Sequence, residues 1–285
     1  MSSKKLPKKL AKTTLNGFNA NPLALVTGAS SGIGEVLALC FAEAGYDLIL
    51  VARSADKLKA LASQIKSDYG TNAHVAAADL AVTGAATGLA ASLKRKRLQP
   101  DILVNCAGVL SQGAFEGMSA QTHQQMIDLN ISGLTAMISA FLPAMRERAA
   151  RGIEGRILNV ASIAAFQPIP MLATYAASKA YVLSLTESLS EELKGSGVTV
   201  TALCPGMTAT AMLSNAANAN EKVSSIPSFM VSNVNDVAHQ GFDACMRGDV
   251  ICIPGVINKA AMLASRSTPK WLVRKLGGIF GRNSL

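Results

Sequence analysis

The chain has 285 residues, 49% of them hydrophobic, and 27 Lys and Arg against 18 Asp and Glu give a formal net charge of +9. That length suits one α/β domain whose sheet is covered on both faces and leaves no room for a second catalytic domain. Five cysteines (Cys40, Cys106, Cys204, Cys245, Cys252) form no C-x-x-C pair, and His74, His123 and His239 lack ligand spacing, so disulfides and a metal site are not expected.

In chain order, residues 1–20 come first as a basic leader. Lys4, Lys5, Lys8, Lys9 and Lys12 occur there without an acid and without a signal peptide's apolar core. No run reaches the ~18 apolar residues needed to span a bilayer, so a soluble, cytoplasmic protein is expected. Residues 23–27 form a strand-length apolar run that enters Gly28-Ala29-Ser30-Ser31-Gly32-Ile33-Gly34 and then the helical stretch 35–44. Glycines placed between a strand and a helix let a pyrophosphate approach bare backbone at the positive end of the helix. The second strand, 48–52, ends at Arg53 with Ser54 beside it. An acid there would bond the ribose hydroxyls of NAD, whereas a guanidinium suits a 2′-phosphate, so NADP(H) is expected over NAD(H).

Strand-like runs at 73–78, 101–105, 156–161, 198–204 and 250–253 follow, alternating with helical patterns. That alternation calls for a seven-stranded parallel sheet with crossover helices, in which ligands sit beyond the carboxyl ends of the strands. Lys94-Arg95-Lys96-Arg97 closes the helix before the fourth strand, where cations suit the dipole. Without aromatic interleaving it is not read as a nucleic-acid patch. Asn130-Ile131-Ser132 matches a glycosylation sequon but is expected in the interior.

Tyr175 and Lys179 stand four apart, which on a helix returns both to one face, and Ser162 lies thirteen residues upstream. A charge beside a phenol favours the phenolate, so this pair can exchange a proton with a carbonyl or alcohol oxygen. Tyr181 has no such lysine and is set aside. Residues 207–233 are largely apolar (Met207, Met212, Leu213, Ile226, Phe229, Met230), consistent with a lid over a hydrophobic substrate or with a simple core cover. Residues 259–285 carry six cations and no acid, mixed with apolar residues. They are read as a C-terminal extension docked on the enzyme, or as a peripheral contact with anionic lipid.

These stations in register resemble the short-chain dehydrogenase/reductase family, whose signatures are T-G-x-x-x-G-x-G and Y-x-x-x-K, over roughly residues 21–255. Thr27 to Gly34 matches the cofactor turn, and Asp79-Leu80 the aspartate beside the adenine. Asn105-Cys106-Ala107-Gly108 matches N-N-A-G, with Cys106 departing from the second asparagine. Asn130 matches the asparagine of a proton-relay water, and Pro205-Gly206 the turn lining the nicotinamide.

The resemblance implies a Rossmann-like doubly wound domain over 21–258, strand order 3-2-1-4-5-6-7, acting on CH–OH or C=O groups. Its implied catalytic residues are Asn130, Ser162, Tyr175 and Lys179. Its implied cofactor contacts are Gly28, Ser30, Ser31, Gly32, Ile33, Gly34, Arg53, Asp79, Leu80, Asn105, Ala107, Gly108, Tyr175, Lys179, Pro205, Gly206 and Thr208. It further implies a homodimer or homotetramer through the long helices near 119–149 and 173–195. Two alternatives stay open: a 3-oxoacyl-thioester reductase whose Arg146, Arg148 and Arg151 meet an acidic carrier, and a non-catalytic NADP(H)-binding regulator.

Overall fold

All seven expected strands form, each within two residues of the bounds read from the sequence. The computed structural model describes residues 21–210 and 231–256, together with 258, 259 and 262. The leader 1–20, lid residues 211–230 and most of 259–285 lie outside them. Strands β1 (Leu23–Thr27), β2 (Asp47–Ala52), β3 (Ala73–Ala77), β4 (Ile102–Asn105), β5 (Gly155–Val160), β6 (Val198–Leu203) and β7 (Ile251–Cys252) make one parallel sheet in the order β3-β2-β1-β4-β5-β6-β7. Helices α1 (Gly32–Glu43), α2 (Ala55–Tyr69), α3 (Ala85–Arg95), α4 (Ala120–Ile127), α5 (Leu134–Ala149), α6 (Ala173–Glu192) and α7 (Val234–Arg247) connect them.

The strand alternation explains the two core layers. In β1, Leu23 and Leu25 point into the layer shared with α3, α5 and α6, while Ala24 and Val26 point into the layer shared with α1, α2 and α7. A strand buried on both faces must be apolar at every position, which is why β1 reads as a continuous hydrophobic run. The helices bury one stripe each. In α2 this stripe is Leu58, Leu61 and Ile65, and the helix stops at Gly70, whose φ of +74° places it in the left-handed region.

Helices α4 and α5 are joined by a π-helical turn, Asp128–Gly133, and the resulting stretch Ala120–Ala149 contains an 18-residue window of mean hydropathy 1.3, long and apolar enough by length and composition alone to cross a membrane. Here its Met126, Leu134, Met137, Ile138, Phe141 and Met145 are buried against the domain core, the use a globular fold makes of such a helix.

At the edge where the strands begin, buried Asp101 accepts from the Leu23 N–H at 2.9 Å and from Arg148 Nε at 3.1 Å, with Arg148 Nη2 as a further donor. Removing one partner of a buried charge pair costs about 3–5 kcal/mol. Asp101→Ala is therefore expected to destabilise by that amount in urea titration, and Asp101→Leu with Arg148→Met to recover most of it. An Asp101→Ala loss under 1 kcal/mol would show that the pair does not lock this edge.

Candidate active site

At the opposite edge, β1 and β4 open side by side because one hydroxyl clamps them. Thr27 Oγ1 accepts from the N–H groups of Cys106 (2.9 Å) and Ala107 (3.0 Å) and donates to the Val104 carbonyl at 3.2 Å. Strand order reverses between these two strands, the place where doubly wound sheets bind ligands. The glycine turn folds back on itself there. Gly28 has φ +66°, and a Cβ on Gly34 would lie 2.4 Å from the Gly28 oxygen, so neither position accepts a side chain.

Ser31 starts α1 without a side-chain capping bond, so the first-turn amides of Gly32, Ile33 and Gly34 remain available to an anion. Ser30 is half-buried and Ser31 exposed at the rim. Arg53 is exposed at the end of β2, the strand paired with β1, and Ala29 N–H reaches the Val51 carbonyl at 3.3 Å. Asp79, exposed after β3, accepts from Ala81 N–H at 3.0 Å, and Leu80 is buried beneath it. This cradle fits a dinucleotide: glycine-walled backbone for a pyrophosphate, and a guanidinium at the adjacent strand end.

The expected catalytic residues converge. Tyr175 and Lys179 face the same way from α6, with the lysine Nζ 5.8 Å from the tyrosine ring centroid. Tyr175 and Ser162 lie close enough for the serine hydroxyl to lower the phenol's pKa against burial. Ser162 sits at the end of β5, where its Oγ accepts from Ala164 N–H at 3.1 Å and lies 3.5 Å from the Pro205 carbonyl. Lys179 is buried and donates to the Val160 carbonyl at 2.8 Å. Gly108 lies between the groups: a Cβ there would be 3.2 Å from Asn130 Oδ1 and 3.6 Å from Lys179 Nζ. Thr208 is buried past the Pro205-Gly206 turn and donates to the Gly206 carbonyl at 3.0 Å. Tyr181, set aside in the sequence, is exposed and bonds Thr135 Oγ1 at 3.0 Å, away from this cluster.

Electrostatics correct one expectation. Burial raises the Tyr175 pKa above its ordinary value, and the opposing influence is the Ser162 hydrogen bond rather than the lysine's charge. Lys179 itself is the group moved toward neutrality: burial lowers it to about 8, with Cys106 and Cys204 nearby working against the shift.

Asn130 is likewise more of a brace than its expected role suggests. The π turn puts it in the interior, where its Nδ2 donates to the Val109 carbonyl (2.9 Å) and Ser178 Oγ (3.1 Å), and its Oδ1 accepts from Val109 N–H at 2.9 Å. One lone pair of Oδ1 remains for a water. Ser178, which no sequence pattern singled out, passes the brace on by donating to the Tyr175 carbonyl at 2.7 Å.

Asn105 belongs to a second brace, donating to Asn159 Oδ1 at 2.9 Å, while Asn159 donates to Thr186 Oγ1 at 2.9 Å. Its own Oδ1 finds no protein partner. Burial pushes the Cys106 thiol up to about 12, so it is no nucleophile.

Known proteins place this geometry. The family model for short chain dehydrogenases matches residues 22–221. An uncharacterised oxidoreductase of Staphylococcus saprophyticus is 37% identical over 185 residues, 65% of this chain and 77% of that protein. A short-chain dehydrogenase from Sphingobium yanoikuyae, solved with NADPH, superposes with a TM-score of 0.75 at 30% identity, covering 87% of this chain and 96% of that one. A bulky-bulky ketone specific alcohol dehydrogenase from Comamonas testosteroni gives 0.70 at 28%, covering 87% and 95%. With the sheet order, the cofactor turn and the tyrosine–lysine pair in place, the chain belongs to the short-chain dehydrogenase/reductase family, as an oxidoreductase acting on CH–OH and C=O groups with a nicotinamide cofactor.

Proposed function

We propose that this enzyme interconverts a hydrophobic carbonyl compound and its secondary alcohol with NADP(H), using Tyr175 as the proton donor and acceptor. The observation that carries this reading is the convergence of Tyr175 and Ser162 with a buried Lys179 beside Gly108, next to the glycine cradle. When bound, the nicotinamide supplies or takes the hydride. The chain's own groups handle the proton and the charge. Ser162 and Tyr175 hold the substrate oxygen between two hydroxyls, and Tyr175 gives its proton as negative charge develops there. Lys179, exchanging its proton near pH 8, keeps positive charge beneath that oxygen. Asn130 and Ser178 fix the first turns of α6, so the phenol does not drift.

NADP(H) is read from Arg53 at the end of β2 and from the Ser30 and Ser31 hydroxyls after the paired strand β1. A homodimer or homotetramer is part of the proposal, supported by Ile127 and Tyr181, exposed on α4 and α6. Five unpaired thiols suit a cytoplasmic setting. The carrier-linked 3-oxoacyl alternative loses support from its own residues. Arg148 is buried against Asp101, and Arg146 and Arg151 lie at the C-terminal end of α5, on the edge opposite Tyr175.

A panel of ketones, aldehydes and 3-oxoacyl thioesters assayed with NADPH and NADH tests the reading. Reduction of apolar ketones with NADPH is expected. Arg53→Ala is expected to cut the preference for NADPH by about 10- to 100-fold, the worth of one charged hydrogen bond. An unchanged preference would remove Arg53 from cofactor selection, and NADPH binding without any turnover would favour the regulator.

A further inference from the structure

We propose that His123 is a positioning residue for the substrate side of the cleft, tying the loop after β4 to the first turn of α6 and holding the Phe115 ring as a wall for an aryl group beside the reacting carbonyl. This rests on the reading that Tyr175 delivers the proton.

The loop, residues 109–119, begins inside the site: Val109 is bonded to Asn130 through both its N–H and its carbonyl. It then runs outward to the segment that precedes α6. Gly113 N–H donates to the Met171 carbonyl at 2.9 Å. Met171 has φ +68°, a left-handed conformation that a side-chain-bearing residue adopts only when its surroundings hold it there, and such strain collects at ligand sites.

His123, on α4, makes the second tie. Its Nε2 lies 3.2 Å from the Phe115 carbonyl and its Nδ1 2.8 Å from Thr174 Oγ1. A carbonyl can only accept, so Nε2 carries a proton, and in the neutral imidazole Nδ1 then accepts from the Thr174 hydroxyl. Thr174 is the residue before Tyr175. One imidazole thus fixes the distance between the loop and the proton donor.

The same imidazole is covered by Phe115. The rings lie 4.3 Å apart at 28°, yet Phe115 remains 65% exposed. A phenylalanine stacked on one face and open on the other offers a flat apolar surface to a ligand. The wall is built of the loop, the ring and the histidine beneath it, and a flat unsaturated substituent is what it fits best.

Kinetics of His123→Ala, His123→Gln and Phe115→Ala with acetophenone and with butanone test the assignment. His123→Ala and Phe115→Ala are each expected to raise KM for acetophenone about tenfold with kcat changed less than threefold, while KM for butanone stays within twofold. His123→Gln keeps an N–H within reach of the Phe115 carbonyl and is expected to recover most of the loss. Equal KM changes for both ketones, or loss confined to kcat, would overturn the proposal. If the wild type reduces neither ketone, the oxidoreductase reading fails for these probes and amide hydrogen exchange decides the tie. Faster exchange across 109–119 in His123→Ala, restored in His123→Gln, supports it, and unchanged exchange overturns it.

Discussion

Tyr175→Phe is expected to lower kcat for carbonyl reduction by about a thousandfold while leaving NADPH affinity within a few-fold. A positioned general acid contributes roughly 10²–10⁴ in rate, and phenylalanine keeps the ring in place while removing the phenolic proton assigned to the substrate oxygen. The loss belongs in kcat because the bond that disappears is strongest when the oxygen carries charge. The pH profile gives an independent check. Burial raises the phenol's pKa, so at neutral pH Tyr175 is protonated and ready for reduction. Reduction should therefore fall as pH rises through that pKa, and alcohol oxidation, which needs the phenolate, should rise over the same range. Full ketone-reducing activity in Tyr175→Phe, or a profile identical to wild type at residual rate, would remove the tyrosine from its role.

What the sequence made legible, and what it hid, divides along the range of the interactions. Strands buried on both faces write themselves as apolar runs, so β1, β2, β4, β5 and β6 could be read directly, and the glycine turn declared itself because Gly28 and Gly34 sit where no Cβ fits. The spacing of Tyr175 and Lys179 worked because helical geometry is local and periodic. Long-range pairings left no such trace. Asp101 and Arg148 are 47 residues apart, and grouping Arg148 with Arg146 and Arg151 as one basic surface failed because burial, not charge, decides what each arginine does. The π turn at Asp128–Gly133 was hidden for a related reason: a widened turn inside a long apolar helix leaves the hydropathy pattern almost unchanged.

The sequence offers no role for His123, beyond excluding it as a metal ligand, or for Ser178, because neither sits in a repeating pattern; only the fold brings the histidine to Thr174 and the serine to Asn130. The sequence also favoured the wrong direction for the phenol. It supplied the lysine's charge but not the burial, which acts on both groups and opposes the charged form of each.

Lys179→Met is expected to stabilise the protein at neutral pH while reducing activity more than a hundredfold. In the native state burial lowers the lysine from 10.5 to about 8. At ~1.4 kcal/mol per pKa unit, holding it charged at pH 7 costs roughly 3 kcal/mol. Methionine of similar length avoids that cost, but leaves the buried Val160 carbonyl without its 2.8 Å donor, which costs about 1–2 kcal/mol. The balance is about 1–2 kcal/mol in favour of the variant.

The pH dependence has a definite sign. Below pH 8 the lysine is protonated in both folded and unfolded chains, so the full penalty applies. Between 8 and 10.5 the unfolded chain holds more protons, wild-type stability gains on the variant as pH rises, and above 10.5 the penalty is gone. Comparing wild type and Lys179→Met in parallel at pH 7 and pH 10 cancels the groups common to both, and the variant's advantage should shrink. A charge retained against its own folding cost points to a use the fold does not need, and in the proposed mechanism that use is the substrate oxygen held by Tyr175. A Lys179→Met protein less stable than wild type at pH 7 would instead make the lysine a structural donor to β5, and the positive charge beneath the phenol would lose its functional meaning.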